Sequence, residues 1–303
     1  MKKYIIGLMM ALLSSMACAA WPTKPITIII PYPPGGWGDQ LGRIFQPALE
    51  DALKVPVVYK FMPGAASAVA INHILAEEND DHTFMQVNDD FVIAQYVVGT
   101  KLYEKFTTSN IWATYPAVVY SGQQSDLKKF KQQIKQGSTV NIGNLGYNGS
   151  LHIWTAGLKS NLTINPVPYK GSAPLLVDVL GGHVEYGVSN LGSAYQFIEE
   201  GKLNLIMVST PERHPYYKNV PTYRELGFKG DPYVGWQAVV ARKDTSPEAI
   251  EKMGAAMRSI VQNNPKIHEQ ASRGITLVNL NVPESQKFVA DAIRKIETVK
   301  IAK

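Results

Sequence analysis

The sequence has little cysteine, little charge and no long apolar run. Its one cysteine among 303 residues is Cys18, so a chain processed after residue 19 has no disulfide, thiolate nucleophile or cysteine–metal site. Charged residues make up 18% of the chain and hydrophobic residues 45%, which is typical of a globular protein with ample core material. The net charge of +5 is small. Because lysines and arginines nowhere cluster with aromatic residues, we predict no nucleic-acid partner.

Motifs for metal, nucleotide or covalent chemistry are also missing. The six histidines are scattered without an H-E-x-x-H pattern, so we predict no metal site. No G-x-G-x-x-G follows a predicted strand, and residues 169–172 lack the preceding glycines of a P-loop, so we predict no cofactor. Residues 146–150 do not match the G-x-S-x-G nucleophile elbow. We therefore expect a protein that is not an enzyme.

The first 19 residues have the pattern of a secretory signal peptide. Two lysines at positions 2–3 supply the positive start, residues 5–13 the apolar core, and residues 17–19 (Ala-Cys-Ala) a small-x-small cleavage site. The apolar core is too short to span a bilayer, and no later run approaches the roughly 18 residues required. We expect export to the periplasm. Lipid attachment at Cys18 is the alternative, but Ser15 stands where a lipoprotein signal usually has leucine.

Apolar runs typical of strands alternate with amphipathic helical patterns along the rest of the chain, which predicts an α/β fold. Strands are predicted at 26–30, 55–61, 83–87, 116–120, 139–143, 163–168, 183–188, 203–208, 234–242 and 276–279. Helices are predicted at 41–53, 65–76, 91–98, 125–135, 193–200, 247–263, 265–274 and 283–303, and from Ser150 and Pro174 onward. Pro47 lies inside the first helix, so we expect a bend near Arg43.

Residues 32–39 (Tyr-Pro-Pro-Gly-Gly-Trp-Gly-Asp) are the most informative stretch. They connect the first predicted strand to the first predicted helix. Glycine lets the backbone approach a ligand closely, and the free N–H groups at a helix start favour an anion. We predict that this loop binds a carboxylate. The alternative is an ordinary strand-to-helix turn.

A second unit of strand, glycine loop and helix begins at residue 139, and its helix starts at residue 150. The loop, residues 144–149, precedes Ser150, which we expect to cap the helix, with His152 in its first turn. Two glycine loops of this kind in one chain strengthen the ligand-binding interpretation.

Between the two glycine loops, residues 88–90 (Asn-Asp-Asp) follow a predicted strand. Open α/β sheets bind ligands at the carboxyl ends of their strands. The alternative is that these polar side chains cap the following helix. Both remain open for Asp90, whereas we favour capping for Asp89.

Several short motifs recur at intervals known from one protein family. They are residues 24–26 leading into 33–36 and Asp39, then 63–65, 167–171, 180–184 and 220–222. On these motifs the chain resembles the extracytoplasmic solute receptors of the tripartite tricarboxylate transporter system, the Bug receptors. The resemblance covers essentially the whole mature chain.

The resemblance implies a periplasmic binding protein fold. In that fold two α/β domains are joined by a two-strand hinge, with a ligand cleft between them. The crossing near Ser121 and the return near Gly235 then give a first domain of 20–120 plus 235–303 and a second of 121–234.

The resemblance also implies that the two glycine loops face each other across the cleft. A carboxylate is held in this family largely by backbone N–H groups and ordered water. Carried over by position, the ligand-binding residues are Gly35, Gly36, Trp37, Gly38, Asp39, Gly146, Asn148, Gly149, Ser150, His152, Tyr169, Lys170, Gly171, Ser189 and Asn190. To these we add Asp90 and Tyr147 from this sequence itself.

The chain departs from the family pattern at the first loop and at residues 61–62, 66–67 and 88–90. Trp37 and Gly38 replace a small residue and a hydroxyl. Trp37, with Tyr32 and Tyr147, could stack on an aromatic carboxylate or pack as a lid. An inward-facing Asp90 could instead pair with a ligand ammonium. These departures leave the identity of the ligand open.

We therefore expect a receptor that captures a small di-, tri- or aromatic carboxylate by closure of its cleft. Its partners would be integral-membrane transporter subunits, and we expect a monomer. The alternatives are an exported serine hydrolase that uses Ser150 and His152, and a carboxylate sensor for a membrane kinase.

Overall fold

A computed structural model describes residues 20–146 and 149–298 of the chain. The predicted signal peptide, Tyr147 and Asn148 lie outside the described residues. Within the described part, helices and strands alternate along the chain, which confirms the predicted α/β class.

The elements have the following bounds. The strands are β1 (Ile26–Ile30), β2 (Val57–Phe61), β3 (Thr83–Asn88), β4 (Phe106–Ser121), β5 (Thr139–Leu145), β6 (Thr163–Tyr169), β7 (Tyr186–Asn190), β8 (Asn204–Val208), β9 (Val234–Arg242) and β10 (Thr276–Leu277). The α-helices are α1 (Trp37–Leu53), α2 (Ala68–Ala76), α3 (Asp90–Val98), α4 (Leu127–Gln136), α5 (Ser150–Gly157), α6 (Ser172–Leu180), α7 (Leu191–Glu199), α8 (Pro247–Asn263), α9 (Pro265–Gly274) and α10 (Val282–Thr298).

The strand order of the sheet is β2-β1-β3-β9-β4-β7-β5-β6, and the long strand β4 joins its two parts. Residues 106–116 of β4 pair with β9, and residues 117–121 pair with β7 and β8. We call β1, β2, β3, β9, β10 and residues 106–116 of β4 the first half-sheet. The rest of β4 with β5, β6, β7 and β8 is the second half-sheet.

The carboxyl ends of the strands in the two half-sheets point toward each other. In the first half-sheet β3 is antiparallel to β9 and β9 to β4, so β3 runs in the same direction as β4. In the second half-sheet β7 is antiparallel to β4, and Asn190 at its end pairs with Ala117. The parallel strands β1 and β5 follow β3 and β7 respectively. Loops after these strands therefore meet near the Pro116–Ala117 junction.

Strand β1 explains how the first half-sheet is stabilised. Its isoleucines 26 and 28–30 are at most 1% exposed, as expected for a parallel strand with helices on both faces. Ile28 packs in a cluster with Phe45 of α1, whereas Ile29 packs in a separate cluster with Ile71 of α2. The continuous apolar run thus positions α1, and the glycine loop before it, at the carboxyl end of β1.

The largest difference from the sequence prediction is the start of β4. It begins at Phe106 rather than at residue 116, because residues 107–110 (Thr-Thr-Ser-Asn) are polar and do not resemble a buried strand. Their side chains find partners inside the protein. The Ser109 hydroxyl donates to the Val239 carbonyl at 3.1 Å, and the Asn110 amide donates to the Leu280 carbonyl at 2.8 Å.

Other bounds shift by a few residues. Strand β7 starts at Tyr186 rather than at residue 183, and β10 is only two residues long. Helix α1 continues through Pro47, and the bend expected near Arg43 stays a prediction.

Candidate functional site

The first glycine loop leads into an open helix N-terminus. Gly35 has a φ of +80°, which glycine adopts without strain, and its N–H donates to Asp39 Oδ2 at 2.8 Å. Asp39 also pairs with Arg43 at 2.9 Å. Gly36 is the N-cap of α1 and has no side chain to cap the helix, so the first-turn N–H groups have no side-chain partner among the described residues. Asp39 therefore braces the loop with its carboxylate.

The side chain of Trp37 connects the first loop to the second half-sheet. Its side chain is 6% exposed. A Cβ placed on Gly192, in the first turn of α7, would lie 2.4 Å from the Trp37 ring. The ring therefore packs directly on the α7 backbone. The buried indole Nε1 has no hydrogen-bond partner among the described residues.

A hydrogen-bonded chain joins the first loop to the end of β3. The Tyr32 hydroxyl donates to Asn88 Oδ1 at 2.5 Å and accepts from the Asn88 N–H at 3.1 Å. The same Asn88 Oδ1 accepts from the Asp90 N–H at 3.0 Å. Hydrogen bonds thus connect residues 88–90 to the first loop. This is expected, because the two segments follow the carboxyl ends of the neighbouring strands β3 and β1.

Asp90 reaches the second glycine loop. Its Oδ1 accepts a hydrogen bond from the Ser150 N–H at 2.7 Å, and Gly149 leaves room for it, since a Cβ there would lie 3.3 Å from Oδ1. The predicted cap was wrong. Gly149 is the N-cap of α5 and Ser150 is its first helical residue, because the carboxylate that meets the helix start comes from Asp90. The Ser150 hydroxyl instead lies 3.2 Å from the Tyr233 hydroxyl.

Asp89 lies at the centre of this network and does not cap α3 with its side chain, contrary to expectation. It is 1% exposed. Tyr115 donates to its Oδ1 at 2.6 Å and Tyr233 donates to its Oδ2 at 2.6 Å. Two tyrosine hydroxyls therefore outcompete the helix N–H groups for this carboxylate. Sequence analysis missed both tyrosines, because they lie 26 and 144 residues from Asp89 along the chain.

The two adjacent carboxylates perturb each other. Burial raises the pKa of Asp89, and the tyrosine hydrogen bonds oppose that rise. Burial and then the charge of Asp89 raise the pKa of Asp90 to about 6, against the hydrogen bonds from Ser150. Burial and the Asp89 charge also raise the pKa of Tyr115 and Tyr233 well above the ordinary tyrosine value. Within residues 20–146 and 149–298, no lysine or arginine forms an ion pair with Asp89 or Asp90.

The remaining residues predicted on the second wall are mostly engaged locally. The Gly146 N–H donates to the Tyr169 carbonyl at 2.8 Å, while the Tyr169 hydroxyl donates to Asp178 on α6 at 2.7 Å. Lys170 is exposed, and Gly171 is the N-cap of α6. These contacts bring the Tyr169 backbone to the second loop but turn its side chain toward α6.

Ser189 and Asn190 end β7 and are buried. The Ser189 hydroxyl donates to the Asn190 carbonyl at 3.0 Å, and Asn190 Oδ1 caps α7 by accepting from the Ser193 N–H at 2.9 Å. Both therefore shape the α7 start on which Trp37 packs. His152 is half-buried on α5, and burial lowers its pKa.

Asn144, the residue before the last of β5, was not among the ligand-binding residues predicted from the sequence. Its side chain is fully buried, and neither amide atom has a hydrogen-bond partner among the described residues. An unpaired buried polar group of this kind costs about 1–3 kcal/mol and therefore calls for an explanation. Asn144 is the first residue of the second glycine loop as predicted from the sequence, and in the structure it still belongs to β5.

Two negative findings apply to the described residues only. No cluster of three or more histidine, cysteine or acidic side chains there has metal-binding geometry. None of the helices in this part is both long and apolar enough to traverse a membrane.

One family model matches most of the chain. The family model described as "Tripartite tricarboxylate transporter family receptor" matches residues 41–302. Protein BugT of Bordetella pertussis is 26% identical over 305 residues, covering 96% of this chain and 94% of BugT.

Two solved structures share the fold. The periplasmic binding protein BugD has a TM-score of 0.79 at 21% identity, covering 91% of this chain and 96% of BugD. R. palustris Rpa4515 with adipate has a TM-score of 0.80 at 21% identity, covering 91% of this chain and 96% of that protein. The described chain thus has the fold of periplasmic binding proteins, as predicted.

Proposed function

The chain belongs to the tripartite tricarboxylate transporter receptor family, and we propose that it is a periplasmic receptor that binds a small carboxylate and delivers it to integral-membrane transporter subunits. The observation that carries this proposal is the uncapped N-terminus of α1, which faces the second half-sheet. Backbone N–H groups at such a terminus favour an anion. The adipate held by the related Rpa4515 supports a carboxylate as the anion.

The ligand carboxylate would bind to the N–H groups of residues 36–38. Gly35 presents its own N–H to Asp39, so Asp39 and Arg43 hold the loop in the conformation that exposes the neighbouring donors. Preorganised donors of this kind need no rearrangement when the ligand arrives. A Cβ on Gly38 would lie 3.2 Å from the Ile30 side chain, so glycine at this position lets the start of α1 pack closely on the end of β1.

Closure of two domains would complete the site. The predicted domains are residues 20–120 plus 235–303 and residues 121–234. The chain passes between them near the end of β4 and at the start of β9, which supports a hinge at this level. The contacts of Trp37 with Gly192 and of Asp90 with the Ser150 N–H lie between these predicted domains, so closure would form both of them.

Replacing the N-cap glycine of α1 tests the proposal. Gly36→Asp supplies a favoured N-cap whose carboxylate satisfies the first-turn N–H groups itself, so the protein should fold normally and bind carboxylates at least about tenfold more weakly. Isothermal titration calorimetry against a panel of aliphatic, aromatic and amino carboxylates gives the affinities. A Cβ at residue 36 would lie 3.5 Å from the Pro33 carbonyl, so Gly36→Ala is the matched control.

The same ligand panel also tests whether the protein is a carboxylate receptor. A receptor of this class should bind at least one carboxylate tightly, and Gly36→Ala should retain that binding. If the wild-type protein binds no carboxylate of the panel, or if Gly36→Asp binds as tightly as Gly36→Ala, the α1 terminus is not the ligand site.

A further inference from the structure

The N-termini of α1 and α5 converge on the same place but differ in occupancy. Among the described residues, no side chain accepts a hydrogen bond from the first-turn N–H groups of α1, whose N-cap is Gly36. At α5 the Asp90 carboxylate accepts the hydrogen bond of the Ser150 N–H at 2.7 Å. A ligand carboxylate can therefore use the α1 terminus, whereas at α5 it meets a carboxylate that is already bound.

Among the described residues, no positively charged side chain pairs with Asp90. The groups that face it are Asp89, beside it at the start of α3, and the hydroxyls of Tyr32, Tyr115 and Tyr233. All are acids. Tyr115 and Tyr233 donate to Asp89, and no lysine or arginine of the described residues pairs with either aspartate. A second ligand carboxylate here would add a further negative charge, while a ligand cation would compensate the existing one.

Asn144 gives a second, independent sign that a polar group belongs here. Its fully buried amide is unpartnered within the described chain. Alternation along β5 puts Asn144 on the same face as Val140 and Ile142, which share a core cluster with Leu151 of α5. The amide therefore lies on the strand that leads into the second glycine loop and α5.

We propose that Asp90 determines the ligand class: by occupying the α5 terminus with its own carboxylate, it selects ligands with one carboxylate for the α1 terminus and a protonated amine for Asp90. This inference rests on the proposed receptor function and narrows it. It distinguishes amino acids from the di- and tricarboxylates that the family resemblance alone would suggest.

Ligand pairs of equal length test the assignment. Calorimetry at pH 7.5 compares succinate with 4-aminobutyrate, glutarate with 5-aminopentanoate, and adipate with 6-aminohexanoate. Wild-type protein should prefer the amino compound of the best-bound pair by about tenfold or more. Asp90→Asn keeps an oxygen for the Ser150 N–H but removes the charge, so this preference should fall by about tenfold or more. Asp90→Ala should also abolish it.

Asp51→Asn is the matched control, because it removes one negative charge from an exposed side chain of α1 and should leave the preference unchanged. Thermal unfolding checks that each variant is folded. If wild-type protein binds the dicarboxylates as tightly as the amino compounds, or if Asp90→Asn leaves the ratio unchanged, the role of Asp90 is refuted while the receptor function stands. Absence of binding to every compound, in all variants, would count against the receptor function as well.

Discussion

At the scale of single residues, the neighbouring aspartates Asp89 and Asp90 differ in their hydrogen-bond partners. Both oxygens of Asp89 accept tyrosine hydroxyls, so this side chain fixes β4 and the start of β9 against α3. Asp90 accepts the Ser150 N–H instead. One carboxylate thus belongs to the internal framework, and its neighbour meets the opposite wall of the site. Sequence analysis could place both at the end of a strand but could not assign these partners.

The raised pKa of Asp90 predicts a pH-dependent stability. The folded protein holds this proton up to about pH 6, whereas an unfolded aspartate releases it near pH 4. Between these values the folded state binds more protons, so the free energy of unfolding decreases as the pH rises. We expect Asp90→Asn to be more stable than wild type by up to about 3 kcal/mol at pH 7, with the difference vanishing below about pH 4.

Urea unfolding at pH 4, 5, 6 and 7 measures this difference. Asp231→Asn removes an exposed carboxylate from the segment before β9 and is the control for loss of charge. It should leave the free energy of unfolding unchanged. A variant at residue 90 that is equally destabilised at every pH would show that the carboxylate is stabilising in the fold and that its proton is not linked to unfolding.

At the scale of elements, the contact between the α1 loop and α7 depends on one missing side chain. A Cβ on Gly192 would meet three Trp37 ring carbons at 2.4–2.8 Å, distances at which the ring must move. Gly192 lies in the first turn of α7, where alanine is compatible with helix. The substitution therefore acts on the contact and leaves α7 itself intact.

Gly192→Ala should weaken carboxylate binding by about tenfold or more, because overpacking this contact holds the two walls apart at a cost of about 1–3 kcal/mol. Calorimetry measures the loss. In the Trp37→Ala background the ring is absent, so the same glycine substitution should cost little, and the double-mutant cycle should report strong coupling. Equal losses in both backgrounds would assign the effect to α7 alone.

The elements also mark what sequence patterns could and could not predict. Strand β1 and helix α8 matched their predicted ranges, because an apolar run or a stripe of helical period is a local signal. Helix α1 ends where predicted but begins at Trp37, four residues before the predicted start, because its first turn contains a glycine and Asp39, which are typical of loops. The first ten residues of β4 did not, since Ser109 and Asn110 depend on partners far along the chain. The two glycine loops were predicted because they are local sequence signals. The tyrosines around Asp89 were not predicted, because they lie far from Asp89 along the chain.

At the scale of the whole molecule, the continuous strand β4 links the two half-sheets. Its pairing changes from β9 to β7 between Pro116 and Ala117, and the loops of both half-sheets gather at this level. The motion we propose is a rotation about this junction and the start of β9. It would separate Trp37 from Gly192 and Asp90 from Ser150 at the same time.

Small-angle X-ray scattering should detect that rotation. We expect the radius of gyration to decrease when a bound carboxylate saturates the wild-type protein, because closure makes the molecule more compact. Gly36→Asp at the same ligand concentration should keep the ligand-free value. An unchanged radius of gyration in wild-type protein at saturation would exclude a hinge motion of this size.

Because Asp90 and Ser150 belong to the same chain, Asp90 also affects whether small anions from solution bind at the N-terminus of α5. A tethered group acts as an intramolecular competitor, with an effective concentration on the order of millimolar or above. Sulfate, phosphate or acetate in the surrounding medium would have to outcompete it to reach the α5 N–H groups. We expect abundant small anions to leave this wall of the site untouched, so that background electrolytes do not mimic the signal of a true ligand.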